Sequence, residues 1–318
     1  METLQSLQKR IITTGKLQSI VKSMKTLSAV SVRQYERAVA SLGDYLLNIE
    51  SGLQVALRDY KLPVTKKASV TVVRGLIVFG SDQGLCGRFN ENLVALFEKQ
   101  LQEWHVEKNK LHVLVIGARI AARLDAIGHK IDEQFWVPGS VSGINHNIYQ
   151  ILLVMERWQK QYQLTHIDMF FNRHAPGSAG EPYTRALLPI DNVHLRHVAE
   201  KKWEGRSLPQ YSVQAPQLFF ALIQQYLFVS LFRAQAESLE SEHASRLRSM
   251  QNAEKNIQEH LEELQAKYSA ERQSSITSEL LDLVAGFKTA AGKKKDKVLF
   301  DPALLEFLSG LEKEIVNA

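Results

Sequence analysis

The residues with the greatest chemical potential sit in one stretch, Ser81-Asp82-Gln83-Gly84-Leu85-Cys86-Gly87-Arg88-Phe89-Asn90. It follows an apolar, β-branched run, Val70 to Phe79, and precedes a helical pattern from Asn92 to Glu103. Glycine-rich loops that cradle phosphate on a helix N-terminus occupy this position. Yet the stretch is neither GxGxxG nor GxxxxGK[ST], and no acidic residue about twenty positions on ends a second strand. Cys86 is no better supported as a nucleophile, because His105, His112 and His129 lack a spacing that would set a base beside it. Ten histidines are present, but none pairs with a second four residues on beside an acid, and there is no CxxC. The stretch therefore reads as a tight turn whose glycines let a strand edge pack closely. No catalytic set, cofactor loop or metal site is expected.

Composition narrows the class. The 318 residues are 45% hydrophobic and 23% charged, enough to bury a core. A net charge of +5 favours an acidic protein, an anionic membrane surface or nucleic acid without choosing among them. Trp104, Trp136, Trp158 and Trp203 are dispersed and form no base-stacking platform. One cysteine allows no internal disulfide, which suits a reducing compartment. No unbroken apolar run of eighteen residues occurs, so no membrane span is expected. The amphipathic start (Leu4, Leu7, Ile11) has no signal-peptide core, and a cytoplasmic protein is the simplest reading.

Two long helical patterns must position the turn. From Gln217 to Ala285 there is neither Gly nor Pro, and apolar residues recur at steps of three and four through Leu218, Leu222, Val229, Phe232, Leu239, Met250, Ile257, Leu261 and Leu264. This predicts one narrow apolar stripe on a charged helix, a rod of about 100 Å at about 1.5 Å per residue. At the other end, Leu17, Val21, Met24, Ser28, Ser31, Tyr35, Ala38, Leu42, Tyr45, Ile49 and Gly52 form a seam with a 3.5-residue period. The two segments are expected to pair as an antiparallel coiled coil; two separate helical bundles are the alternative. Between them, strands are expected at Val70–Phe79, Leu111–Ile116, Ile131–Val137, Ile167–Phe171 and Thr184–Ile190. Helices are expected at Asn92–Glu103, Ala118–Ala126 and Ile144–Tyr162. That alternation predicts a small α/β layer on a largely parallel sheet, followed by an irregular linker from Asp191 to Pro216.

Three blocks then resemble the gamma subunit of F-type ATP synthases. They are Lys22-Ser23-Met24-Lys25, the turn Ser81-Asp82-Gln83-Gly84-Leu85-Cys86-Gly87, and a C-terminal block. The last runs from Glu237-Ser-Leu-Glu-Ser-Glu-His243 through Arg246-Leu-Arg-Ser-Met250 to Arg272-Gln-Ser-Ser-Ile-Thr-Ser-Glu-Leu280. The resemblance covers Met1 to about Ala290. It implies a long antiparallel coiled coil with an inserted Rossmann-like α/β domain, and a non-catalytic rotor shaft that binds no cofactor. It implies partners in the α and β subunits of a catalytic ring, the epsilon subunit and the membrane c-ring, at the cytoplasmic side of a bacterial plasma membrane. It also implies β-subunit contacts near Met24, Arg272 and Gln273, and makes Ser81, Asp82, Gly84, Leu85, Cys86 and Gly87 the family's motif turn. The chain departs from the family pattern at Arg88, Ser269, Ala270 and Glu271. A coiled-coil scaffold with a non-catalytic α/β domain is the competing class.

The expected division is a first shaft helix over 1–62, an inserted domain over 68–200, a second shaft helix over 213–290 and an extension over 291–318. In the extension, Asp301 as N-cap, Pro302, and Leu304, Leu305, Leu308, Leu311 and Ile315 on one face predict a short amphipathic helix.

Overall fold

The computed structural model describes residues 3–60, 72–107, 110–173, 180–190, 192–201, 203, 207 and 209–293. They fall into two units: one within residues 17–257, the other made from the chain ends, 1–16 with 258 onward. The predicted extension helix lies outside the described residues. Two long helices contribute to both units, α1 (Leu4–Asp59) and α6 (Ala215–Lys293). Pro216 sits in the first turn of α6, where its missing N–H has no helical partner to lose.

The larger unit is built on a five-stranded sheet. Its strands are β1 (Arg74–Phe79), β2 (Leu111–Ile116), β3 (Glu133–Phe135), β4 (His166–Arg173) and β5 (Glu181–Leu188), in the order β3-β2-β1-β4-β5. The first four are mutually parallel, and β5 lies antiparallel against β4. Because side chains alternate along a strand, β1 splits its apolar run between two cores. Leu76 and Val78 join Val113, Val115 and Phe170 under α2 (Phe89–Trp104) and α3 (Ala118–Ala126), which supply Leu93, Phe97, Ile120 and Leu124. Ile77 and Phe79 face the other way. They join Leu114, Ile116, Met169 and Phe171 with Ile144, Ile148 and Ile151 of α4 (Val141–Tyr162) and Leu231, Ala236 and Leu239 of α6. The sheet is thus covered on both faces, and α6 is part of its core.

Within this unit α1 and α6 run antiparallel. Lys25 pairs with Glu254, Tyr35 stacks on His243 with ring centroids 5.6 Å apart, Tyr45 donates to Gln225 at 3.0 Å, and Tyr60 stacks on Phe219. The small seam residues allow close approach. A Cβ at Gly52 would come within 3.0 Å of the Leu222 side chain. The expected seam holds at Ser28, Tyr35 and Ile49, which are buried, but Tyr45 is 44% exposed. There the buried line moves on to Leu53 and Ala56, which pack with Phe219 and with Leu195 and Val198.

Two expectations are corrected. Residues 191–216, read as irregular linker, contain α5 (Asn192–Glu200), whose Leu195 and Val198 anchor that last cluster. Helix α6 does not carry one narrow stripe throughout: from Val229 to Glu242 every residue except Arg233 is buried. Two structures press on it at once, α1 and the sheet. Helix α6 also contains an eighteen-residue window of mean hydropathy 1.4, long and apolar enough by composition to cross a membrane. Counting unbroken apolar runs misses it, because uncharged Gln and Ser interrupt the run. In this unit, Phe219, Val229, Leu231 and Phe232 of the same helix pack into the two clusters that α6 joins.

The packing of α6 buries carboxylates. Glu240 is pushed up to about 7, first by burial, then by Glu36 on α1 and by Glu237 one turn back. Glu237 itself is paired with Arg233 at 2.6 Å. A carboxyl group whose pKa rises on folding binds its proton more tightly in the native state. Stability is then lost as pH rises from the ordinary glutamate range through about 7. Glu240→Gln is expected to flatten this part of the stability profile. The variant should gain on the parent between pH 5 and pH 8 in urea unfolding; an unchanged difference would count against the buried, repelled carboxylate.

Candidate functional site

The turn after β1 lies where this sheet reverses its order. β1, β2 and β3 are laid down in one direction, and the chain then returns to place β4 on the other side of β1. In open α/β sheets, the crevice at the carboxyl ends of the strands beside such a reversal is the usual ligand site. Here the protein's own α6 crosses that end. Ser238 Oγ donates to the Phe79 carbonyl at 2.9 Å, and Ser245 Oγ donates to the Cys86 carbonyl at 2.6 Å. Arg246 spans the turn, donating to the carbonyls of Gln83 (3.3 Å) and Gly84 (3.4 Å).

Several side chains of the motif turn have identifiable tasks, while Gly84 contributes its carbonyl to Arg246. Ser81 is fully buried: its N–H donates to Asn90 Oδ1, and its hydroxyl accepts from Asn90 Nδ2 at 2.8 Å. Asp82 uses both oxygens, accepting from Ala118 N and Val137 N at 2.8 Å each. The first of these donors opens α3, so a side-chain carboxylate already satisfies the helix end where an anion would otherwise be favoured. Leu85 adopts φ of 64° and is 62% exposed, an apolar side chain held outward at the tip. Gly87 has φ of +59°, and a Cβ there would press to 3.1 Å from Ser249 Oγ. Gly84 corrects the expectation of tight packing, since a Cβ would meet nothing nearer than Arg119 at 3.7 Å.

Cys86 is buried, with Ser81 Oγ 3.7 Å from its sulfur. Burial pushes its thiol up, only partly opposed by that hydroxyl. Reactive cysteines carry the reverse shift, and this thiol is buried within the turn. Beneath the turn, Arg246 and Glu242 form an ion pair at 2.6 Å with both side chains 6% exposed. Burial raises Glu242 while Arg246 opposes the rise, and Glu242 Oε2 has no hydrogen-bond partner among the described residues. His243 next to them is driven down to about 4, first by burial and then by Arg246, and is neutral where it stacks on Tyr35.

Among the residues matched to β contacts, Met24 is half-buried on α1 in the larger unit. Arg272 and Gln273 are exposed on α6 in the smaller unit. The turn residues converge on one place; these three are not among them. The sequence reading missed the clasp made by Ser238, Ser245 and Arg246. Its one signal was a helix with serines and an arginine on faces that a narrow stripe would have left in solvent.

A family model described as ATP synthase matches residues 3–289. The gamma chain of ATP synthase from Pasteurella multocida is 26% identical over 90% of this chain and 99% of its own length. The gamma chain from Nostoc sp. is 27% identical over 90% and 98%. The chain belongs to the ATP synthase gamma family. Solved structures share the fold at lower identity. A chain of the Euglena gracilis mitochondrial ATP synthase, OSCP/F1/c-ring in rotational state 3, aligns with a TM-score of 0.59 at 18% identity, covering 93% of this chain and 99% of that one. A chain of the same organism's rotor in rotational state 1 gives 0.58 at 17% identity, covering 86% and 98%.

Two outcomes follow from the clasp. Removing one member of a buried ion pair leaves the other uncompensated, at a cost of about 3–5 kcal/mol. Arg246→Ala should therefore lower unfolding free energy by that order, and Glu242→Gln by less, because the amide oxygen still accepts from Arg246, which also keeps the Gln83 and Gly84 carbonyls; equal small losses would mean the pair does not bear the turn. With the crevice crossed by α6 and the α3 terminus satisfied by Asp82, equilibrium dialysis of the full chain with ATP or ADP should show no saturable uptake at micromolar concentrations.

Proposed function

We propose that the chain is the non-catalytic central rotor shaft of a rotary ATP synthase, a peripheral subunit on the cytoplasmic side of a bacterial plasma membrane. Its partners on this reading are the α and β subunits of the catalytic ring, the epsilon subunit and the membrane c-ring. The observation that supports it best is the clasp at the sheet reversal. A position that commonly holds a ligand is instead used to fasten an α/β layer to a helix pair. A torque-bearing subunit needs that linkage, because a layer turned at one end must carry the helix pair with it. Burial of α6 on nearly all sides from Val229 to Glu242 supplies it without a hinge.

Met24, Arg272 and Gln273 are the positions this reading assigns to contact with β. Arg272 is exposed, and a guanidinium presents paired donors suited to a carboxylate on a surrounding subunit. Glu271, the half-buried preceding residue, carries a negative charge that on this reading lowers the positive potential Arg272 offers a partner. Losing one charge-assisted hydrogen bond costs about 1.5–3 kcal/mol. Arg272→Ala is thus expected to weaken the coupling of ion flow to ATP turnover while leaving assembly intact, and Glu271→Ala to tighten it. Affinity purification of the tagged chain should bring down α and β subunits in excess over it. Purification of the chain alone would sink the shaft reading. Normal co-purification with unaltered coupling in both variants would sink only the Arg272 contact.

A further inference from the structure

Along the larger unit, α1 and α6 meet mostly through complementary groups. Lys25 pairs with Glu254, Tyr45 donates to Gln225, and Tyr35 stacks on His243. The layer beside Tyr35 departs from this. There Glu36 of α1 and Glu240 of α6 set like charges against each other across the interface, and Glu237 adds a third one turn back on α6. Glu240 is 7% exposed and Glu237 8%, whereas Glu36 is exposed.

The surroundings give Glu240 no counter-charge. Arg233 is taken by Glu237 at 2.6 Å, and among the described residues no cation pairs with Glu240 or Glu36. Arg33 and Arg37 of α1 are exposed. On α6, His243 is neutral and stacked, and Arg246 is bound to Glu242. On the sheet side, a Cβ at Gly180 would strike Ser241 Oγ. The charges at those strand ends, Arg173 and Glu181, are exposed, and Arg173 lies over the Tyr183 ring. A buried carboxyl group that faces only like charges is more stable with a proton on it.

We propose that Glu240 is a proton-operated latch between α1 and α6. With the proton bound, the two helices close on each other beside Tyr35; with it lost, the three carboxylates push α1 away from α6. At this level α6 is bonded to the sheet through Ser238, Ser245 and Arg246, so α1 is the helix that yields. The sign follows from the proton. Closed, Glu240 is pushed up to about 7; separated, it regains water and the ordinary glutamate range. Closure is therefore strongest at low pH and weakens as pH rises from that range to about 7. Above this both arrangements are ionised and the weakening stops. One proton sets the slope, up to about tenfold in the opening constant per pH unit. The latch is a property of the free chain and does not depend on assembly.

Thiol labelling of the full chain tests it. Ser28 is a 2% exposed seam residue about two turns along α1 from Glu36, and Ser28→Cys changes its size little. Native Cys86, buried beneath the clasp, reports on the sheet side in the same molecule. Dithiodipyridine labelling is followed from about pH 5 to about pH 8, with each rate corrected for thiol ionisation. The corrected rate at position 28 should exceed that of Cys86, rise with pH and level off above about 7. Glu240→Gln should abolish the rise. Glu36→Gln, at an exposed site, should keep the rise but end it at lower pH, because one repelling charge is gone. A flat profile in the parent, a rise that persists in Glu240→Gln, or an unmoved end point in Glu36→Gln would overturn the latch. Equal corrected rates at the two thiols would also overturn it, since opening would then be unfolding of the whole unit.

Discussion

Everything in the larger unit depends on one constraint: a helix surrounded by protein has no solvent to receive its polar groups. From Val229 to Arg246, α6 lies between α1 and the carboxyl ends of the strands, so a polar group there is satisfied only by the fold: Ser238, Ser245 and Arg246 are, while the hydroxyls of Ser230 and Ser241 have no hydrogen-bond partner among the described residues. The partners of Ser238, Ser245 and Arg246 are the carbonyls of Phe79, Cys86, Gln83 and Gly84, at the end of β1 and in its turn, of which Gln83 and Cys86 also accept within the turn from Ser81 Oγ and Phe89 N. These directional bonds fix the helix along its axis as well as around it. Apolar contact alone would permit sliding.

The same packing explains the perturbed charges. Glu240, Glu242 and His243 are all shifted first by burial, two toward the protonated and one toward the neutral state. Such shifts in a crevice commonly mark an active site. Here the groups lie between a helix and the surfaces it joins, and the one strong partner, Arg246, also holds the turn. Structural ion pairs perturb pKa values as much as catalytic ones do. The geometry around them decides which is meant.

Much of the fold was legible because its signals are local. Leu111–Ile116 and Ala118–Ala126 appear at the boundaries their patterns predicted, and β1 falls inside the expected run with its end at Phe79 as read. The 3.5-residue seam announced the helix pair through Ser28, Tyr35 and Ile49. What stayed hidden is long-range. No pattern around Ser245 or Arg246 states that a loop more than 150 residues earlier will lie against them. Asp82 looked like one member of a turn, yet its carboxylate ties two segments, at Ala118 and Val137. Helix α5 escaped because nine residues hold too few turns for a clear period beside Gly205, Pro209 and Pro216.

The central claim is that the clasp makes the sheet and α6 one mechanical body. Native-state hydrogen exchange measures this directly, since segments that open together share one opening free energy. Amides of Leu76–Phe79 and of Leu231–Arg246 should exchange with a common opening free energy, and both should fall together in Arg246→Ala. Independent, lower-energy opening of the strand amides while those of α6 stay protected would contradict the account.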